Sequence, residues 1–406
     1  MLLKEILSNP IKAFVHLERY VNDGSPSGFS EKNIVTEPYS PTKGSPTFNL
    51  PIIWFPFENV TTIGSVRHLN FGRKDSPCSP FPVHPDLYPE WEQLLHEVPG
   101  TSLGMIEVAP TASGRTVIAG INEGVPFFIK LHYPGLIGRF HRDITLYKWL
   151  PEIENSRELA RLFFNNKMWG SFLPSLGGVY SERAKHRGGV VFRSFTEYPS
   201  TVWKGFMIPS FSLWSIDRIR PQDPTLLAQL QAETGLNFQS MIEYLFVPLF
   251  QSYAELAINC GLIPEDNAQN ILFKFSSDFS MLRVVRRDMM GFFKDNELRG
   301  ENVMGLFPLT TYHELEPGVH DDIRKRRSFA YDFKFSRYVI DPLANQVAHI
   351  FKVSLDHVAN IVKKLAIDIV IWPSGYFEAG QKAYGYDNIL GVSRSSYREI
   401  YPFLYR

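Results

Sequence analysis

An acidic, amide-rich stretch followed by two short apolar runs constrains this chain more than any other feature. The stretch reads Glu265-Asp266-Asn267-Ala268-Gln269-Asn270. The runs at 271–275 and 281–287 predict two strands, and the serines and aspartate between them predict a turn. A turn centred near Phe279 would place Asn270 opposite Asp288, roughly 5 Å apart. Carboxylate and amide oxygens bind Mg²⁺, so Asp288, Asn270 and Glu265 form a candidate metal and nucleotide site. A polar surface hairpin is the alternative.

A second cluster, upstream, carries the positive charge that the acidic hairpin lacks. Ser113 and Arg115 lie in a glycine-containing turn whose backbone N–H groups suit a phosphate. Apolar alternation in the next segment predicts a strand with Lys130 on its less apolar face. Arg139 and Arg142, three residues apart, are predicted to share one face of a following helix. Ordinary surface charge is the alternative for each residue, whereas the set as a whole favours anion binding.

These motifs, in this order, resemble those of the NRPS-independent siderophore synthetases of the aerobactin-synthetase type. The series is Pro82-Val83-His84-Pro85, Pro110-Thr111-Ala112-Ser113-Gly114-Arg115-Thr116, Ile129-Lys130-Leu131, Arg142, the 265–270 stretch and Arg287-Asp288. It covers roughly residues 80–295. The histidine of the family's acidic motif is Asn267 here, and family members usually run well beyond this chain. A shortened member with a different acid substrate and a relative that binds nucleotide without ligation both stay open.

The resemblance implies an α+β, multi-lobed fold shaped like a cupped hand, with an antiparallel sheet and a helical C-terminal part. It implies an ATP- and Mg²⁺-dependent ligase that adenylates a small polycarboxylic acid and joins it to an amine or hydroxyl substrate. By position, it implies phosphate binding by Ser113, Arg115, Thr116 and Lys130, nucleotide contacts from Gln269 and Asn270, Mg²⁺ ligation by Glu265, Asn270 and Asp288, and catalytic roles for Lys130, Arg142 and Asn267.

Two other functions stay open on the residues alone. A kinase-like phosphotransferase also uses a strand lysine, an asparagine and a metal-binding aspartate. A catalytically silent nucleotide-binding subunit is the second alternative, because Asn267 replaces the expected histidine. The products separate these functions: AMP with pyrophosphate indicates a ligase, ADP indicates a kinase, and neither indicates a binding role.

Composition narrows the partners of the chain. The 42 basic and 42 acidic residues balance, so global charge favours neither nucleic acid nor an anionic membrane as a partner. Cys78 and Cys260 are the two cysteines, which argues against a disulfide framework and fits a reducing cytoplasm. No uncharged apolar run approaches the roughly 20 residues that span a bilayer. We expect a cytoplasmic protein with small-molecule substrates, and a homodimer stays open.

Changes in composition along the chain predict three parts. Residues 1–78 form a loop-rich N-terminal segment, 79–220 a mixed α/β nucleotide-binding lobe, and 221–406 a palm-like lobe with the acidic hairpin and a helical C-terminus. Apolar residues at three- and four-residue spacing predict a long helix leading directly into the acidic motif. The charge run at 321–327 predicts a solvated helix face.

Overall fold

A computed structural model shows that the described residues form two larger β-sheets, three two-stranded sheets and a mainly helical C-terminal part. The structure describes residues 1–22, 37–64, 66, 69, 71, 77–122, 125–137, 140–165, 168–183, 186–295, 297–298, 322–387, 396–401 and 404–406. The predicted α+β class, antiparallel sheet and helical C-terminal part are confirmed. No helix in these ranges is long and apolar enough to cross a bilayer.

The helices of the described ranges lie mainly near the N-terminus, beside the first sheet and in the C-terminal part. They are α1 (Leu3–Ser8), α2 (Pro10–Tyr20), α3 (Tyr88–Trp91), α4 (Leu94–Glu97), α5 (Leu146–Asn165), α6 (Leu226–Thr234), α7 (Phe238–Ala254), α8 (Ile323–Ser328), α9 (Asp341–Phe351) and α10 (Leu355–Val370). Two π-helical segments, Glu255–Asn259 and Phe329–Ile340, continue α7 and α8. Helix α7 confirms the predicted long helix before the acidic motif.

The strands, numbered along the chain, are β1 (Phe48–Pro56), β2 (Thr61–Gly64), β3 (Cys78–Pro82), β4 (Ser102–Pro110), β5 (Thr116–Ala119), β6 (Phe127–Lys130), β7 (Tyr133–Ile137), β8 (Phe140–Arg142), β9 (Ser171–Phe172), β10 (Ser175–Ser181), β11 (Gly188–Ser194), β12 (Gly205–Pro209), β13 (Leu262–Ile263), β14 (Ile271–Ser276), β15 (Leu282–Arg286), β16 (Phe293–Lys294), β17 (Ala383–Asp387) and β18 (Ser396–Ile400). The first sheet has the order β2-β10-β11-β6-β5-β4-β1-β3, with antiparallel pairs throughout its described strands. The second has the order β12-β14-β15-β9, in which β15 and β9 are parallel.

Alternation along the strands directs one face of each sheet into a shared core. That core contains Phe14, Ile118, Phe128, Leu173, Met207, Leu272 and Val285, from both sheets and helix α2. Phe127 and Ile129 belong to the core on the other face of the first sheet. Lys130 therefore lies on the same side as Phe128, toward the second sheet. The same rule places Asn270 with Leu272 and Arg287 with Val285, toward the first sheet.

The register of the acidic hairpin differs by one residue from the predicted one. Ile271 pairs with Arg286, and the backbone N–H of Arg287 donates to the carbonyl of Asn270 at 3.0 Å. Asn270 is therefore opposite Arg287, and the expected pairing with Asp288 was wrong. The cause is a turn that closes on Ser276 and Met281, whose centre lies half a residue before Phe279.

The predicted helix after the lysine strand was also wrong. Arg142 ends strand β8, which forms a hairpin with β7. Pro134 and Gly135 at the start of this segment disfavour a helix, because proline lacks an N–H donor and glycine costs conformational entropy. Arg139 lies outside the described residues.

Both predicted domain boundaries are crossed by a sheet. Strands β1 and β2, from the predicted N-terminal segment, belong to the same sheet as β4, β5, β6, β10 and β11. Strand β12, from the predicted nucleotide-binding lobe, pairs with β14 of the predicted palm-like lobe. The division of the chain into three lobes at residues 78 and 220 stays a prediction.

Candidate functional site

A basic cleft lies where the two sheets meet, next to the shared core. The basic cleft is lined by Thr111, Ser113, Arg115, Thr116, Lys130, Arg142, Arg193, Gln269, Asn270, Arg287 and Asp288. Five of these described residues are basic and one is acidic, so the cleft carries an excess of positive charge. The structure thus brings together the upstream basic cluster and the acidic hairpin, which are more than a hundred residues apart in sequence.

Lys130 is the centre of a buried ion-pair network. Its ammonium group donates to Glu152 Oε2 at 2.6 Å and to Asp288 Oδ1 at 2.9 Å. Arg193 donates to the other carboxylate oxygen of Glu152 and lies 3.9 Å from Asp288. Because Glu152 belongs to α5 and Asp288 follows β15, the network joins the first sheet, a helix and the second sheet. Asn155 strengthens this joint by donating to the carbonyl of Met289 at 3.1 Å.

Asp288 is ionised in this network. Burial favours its neutral form, but the charges of Lys130 and Arg193 outweigh burial and hold the pKa of Asp288 well below its usual value of 3.8. Burial lowers the pKa of Arg193, but the negative charges of Glu152 and Asp288 outweigh burial and raise it. Asp288 has a left-handed backbone with φ of 71°, which non-glycine residues seldom adopt.

The segment between β4 and β5 forms a tight loop organised by its own hydroxyl groups. Ser113 Oγ accepts the backbone N–H of Thr116 at 2.8 Å, and Thr111 Oγ1 donates to the carbonyl of Thr116 at 2.7 Å. Gly114 has φ of 71°, so the turn requires the conformational freedom of glycine. The loop therefore holds Ser113 and Arg115 at the cleft wall.

Two arginines, Arg115 before β5 and Arg142 at the end of β8, lie next to each other at the cleft and repel each other. Arg115 donates to the backbone carbonyl of Arg142. Burial, together with the charge of Arg142, lowers the pKa of Arg115 to about 10. Burial also lowers the pKa of Arg142, while Glu265 and Asp288 act in the opposite direction. A polyanion bound in the cleft would relieve this repulsion.

Some side chains of the acidic motif hydrogen-bond to its backbone, and others face the cleft. Asn267 Oδ1 accepts the backbone N–H groups of Gln269 at 3.0 Å and Asn270 at 3.1 Å. Gln269 and Asn270 line the basic cleft, whereas Asn267 and Glu265 are not among its lining residues. Asp266 anchors the motif through a buried, doubly hydrogen-bonded pair with Arg286.

Arg287 ties the acidic motif to the N-terminal helix. Its Nε donates to the carbonyl of Gln269 at 2.6 Å, and its Nη1 lies 2.7 Å from Glu18 Oε1. Within the described part of the chain, Arg287 Nη2 and Arg193 Nε are buried donors without a hydrogen-bond acceptor. Buried polar groups are nearly always paired, so each of these two cationic donors lacks the acceptor that burial normally requires.

The oxygen ligands for the predicted Mg²⁺ are few. Asp288 supplies a carboxylate, and Asn270 supplies an amide whose nitrogen donates to the carbonyl of Glu265 at 3.0 Å. Glu265 Oε1 instead pairs with Lys334 at 2.8 Å. No group of three or more His, Cys, Asp or Glu among the described residues is arranged to hold a metal. Mg²⁺ takes one or two carboxylates and completes its shell with water and phosphate, so this set fits Mg²⁺ bound together with a nucleotide.

Three residues that build the site escaped prediction. Arg193 lies in the apolar strand β11 and carries the same signal as Lys130, a lone charge in a buried strand. Glu152 and Glu18 lie on helices, where a carboxylate usually faces solvent, and their partners are 22 to more than 90 residues away. Only the folded chain brings these carboxylates to the cleft.

Comparison with solved structures identifies the fold of this chain. The chain has the fold of the NRPS-independent siderophore synthetases, so the predicted resemblance is confirmed at the level of the fold. No protein-family model matches the sequence, and no curated protein sequence matches it.

The likeness extends over most of the chain. The petrobactin biosynthesis protein AsbB from Bacillus anthracis matches with a TM-score of 0.70 and 14% identity, over 92% of this chain and 71% of AsbB. The aerobactin synthetase IucC from Klebsiella pneumoniae matches with a TM-score of 0.65 and 16% identity, over 91% and 71% of the two chains. The ATP-bound aerobactin synthetase IucA from the same species matches with a TM-score of 0.64 and 12% identity, over 90% and 71%.

Proposed function

We propose that this protein is an ATP-dependent ligase that adenylates a small carboxylic acid in the basic cleft and condenses it with an amine or hydroxyl substrate. The observation that carries the proposal is the pair of orphaned cationic donors, Arg193 Nε and Arg287 Nη2, in a cleft rich in positive charge. The fold of siderophore synthetases, one of which has been solved with ATP, supports a nucleotide as the anion.

The chemistry needs fixed cations where negative charge develops. In the first step a carboxylate oxygen attacks the α-phosphorus of ATP, and the bond to pyrophosphate breaks. In the second step the amine or hydroxyl attacks the acyl carbon, AMP leaves, and the nucleophile loses a proton. Lys130, Arg115 and Arg142 would stabilise the phosphate charge that grows in the first step. Ser113 and Thr116 would hold phosphate oxygens, and Gln269 and Asn270 would contact the nucleotide.

Mg²⁺ would neutralise phosphate charge in this site. Asp288 and Asn270 are its proposed protein ligands, with phosphate oxygens and water completing the shell. Glu265 would join them after release from Lys334. Asn267 is proposed to act near the acyl centre, where its neutral amide would select an acid other than that of relatives with histidine.

One observation favours a second function, a phosphotransferase. The pair between strand Lys130 and helix Glu152 has the same composition as the lysine–glutamate pair of protein kinases, which holds the ATP phosphates in place. Both functions use the same cleft, but their products differ.

The experiment is product analysis with Mg-ATP and a panel of mono-, di- and tricarboxylic acids, with and without amine acceptors. Pyrophosphate and AMP that depend on an acid would support the ligase, whereas ADP would support the phosphotransferase. Nucleotide binding without turnover across the panel would contradict both and favour a silent binding subunit.

A further inference from the structure

Helix α2 places one buried carboxylate against both halves of the basic cleft. Glu18 is fully buried. Its Oε2 accepts the backbone N–H of Ala112 at 3.1 Å, in the loop that carries Ser113 and Arg115. Its Oε1 lies 2.7 Å from Arg287 Nη1, at the end of the acidic hairpin. One side chain thus contacts the loop of the first sheet and the arginine of the second.

The packing of α2 explains why Glu18 can reach both sheets. Phe14, one helical turn earlier on the same face, belongs to the core shared by the sheets and contacts Phe128 and Phe195 edge-on, with ring centroids 5.9 and 5.0 Å away. Asn9 caps the helix by accepting the backbone N–H of Lys12 at 3.2 Å. The helix is therefore a fixed support, and its last turn brings Glu18 to the cleft wall.

We propose that Glu18 is a positioning residue that sets the orientation of Arg287 and its spacing from the loop at 111–116, so that both engage one anionic ligand. This inference rests on the proposed nucleotide-binding function. Glu18 acts on Arg287 and the loop rather than on the ligand. It also gives the N-terminal segment, which lies outside the motif series, a role in the site.

Two physical effects of removing the carboxylate have opposite signs. Glu18→Gln takes one negative charge from the site, which by itself strengthens attraction for phosphates. It also leaves Arg287 without its buried counter-charge and loosens the loop, which weakens binding of a ligand that needs both. If Glu18 positions Arg287 and the loop, the loss of positioning exceeds the gain in attraction, and Glu18→Gln binds phosphates more weakly. Tighter binding would mean that the negative charge of Glu18 only opposes the ligand.

The test is Mg-ATP affinity by calorimetry for the wild type, Glu18→Gln, Arg287→Gln and the double variant. We expect each single change to weaken binding about tenfold, a typical loss for a hydrogen bond to a charged group, and the double variant to bind no more than about twofold more weakly than Arg287→Gln. Glu5→Gln is the matched control, because Glu5 is another N-terminal carboxylate paired with an arginine, Arg220, at 2.6 Å but outside the cleft. It should leave ATP affinity unchanged.

Unchanged or tighter ATP binding by Glu18→Gln, or losses that multiply in the double variant, would overturn the positioning role. If Glu18→Gln does not fold, Glu18→Asp keeps the charge but withdraws it by one methylene, and it should bind ATP several-fold more weakly. Affinity equal to the wild type in Glu18→Asp would then overturn the inference. A wild type that binds no ATP would instead refute the proposed function itself.

Discussion

Replacing Lys130 by methionine should lower the stability of the protein as well as the rate of the proposed reaction, because the ammonium group of this lysine is hydrogen-bonded to two carboxylates of the protein, Glu152 and Asp288. Breaking a buried ion pair by removing one partner typically costs about 3–5 kcal/mol. Here Arg193 still contacts Glu152 and lies 3.9 Å from Asp288, whose side chain is 30% exposed. We therefore expect a loss of about 2–3 kcal/mol in the free energy of unfolding at neutral pH. Turnover of ATP should fall by roughly 10²- to 10³-fold.

The pH dependence of this loss follows from Asp288. Its pKa is depressed in the folded wild type, so the stability it contributes is present above the unfolded value, about 3.8, and is lost as pH falls toward the folded pKa. Without Lys130 burial is opposed only by the weaker charges of Arg193 and Arg115, so the pKa of Asp288 moves back up toward its unfolded value. The difference in unfolding free energy between wild type and Lys130→Met should therefore be largest near neutral pH and should shrink below about pH 4.

Urea denaturation at about pH 7 and about pH 3.5, with ATP affinity measured on the same samples, checks this prediction. Lys274→Met is the matched control, because Lys274 is another strand lysine paired with a buried carboxylate, Glu197, away from the cleft. It should lose stability and keep ATP affinity. A stability difference for Lys130→Met that is equal at both pH values, or larger in acid, would refute the reasoning.

Three other substitutions test separate parts of the site. Arg115→Ala should lower pyrophosphate release by roughly 10²-fold with a small loss of stability, and unchanged turnover would make Arg115 structural. Glu152→Gln should cost about 3 kcal/mol in urea denaturation, because it leaves Lys130 and Arg193 without their shared carboxylate, and an unchanged midpoint would contradict this. Asn267→His should alter acid preference or introduce a titration near pH 6.5 in the rate of adenylation. Unchanged acid and pH profiles in an active variant would place residue 267 outside the acyl site.

Strand periodicity explains why much of the site could be predicted. The alternation of apolar residues in β6 determines which face carries Lys130, and the same parity in β14 and β15 determines that Asn270 and Arg287 face the first sheet. These are local rules, since one strand's own sequence identifies its buried face. The order of the sequence motifs predicted the fold, and the structural likeness to siderophore synthetases confirms it.

Partners that are distant in sequence could not be predicted, because helix and charge patterns do not reveal them. The charge run at 321–327 was expected on a solvated face, yet Arg327 is buried against Asp295, 32 residues away. Glu152 and Glu18 would be ordinary surface carboxylates on isolated helices. What makes them part of the site is the packing of α5 on the first sheet and of α2 on the shared core, which is tertiary information.

The observed hairpin register, one residue away from the predicted one, raises the question of how Arg287 and Asp288 both face the cleft although they are adjacent in sequence. Alternation directs Arg287 to the side of the first sheet, and a regular strand would direct the next residue away from it. Asp288 instead adopts a left-handed backbone, with φ of 71°, that ends the ladder and brings its carboxylate to Lys130. That conformation costs roughly 1–2 kcal/mol for a residue with a Cβ. The ion pairs with Lys130 and Arg193 offset this cost, so the position of the proposed Mg²⁺ ligand depends on the cations that would also bind the nucleotide.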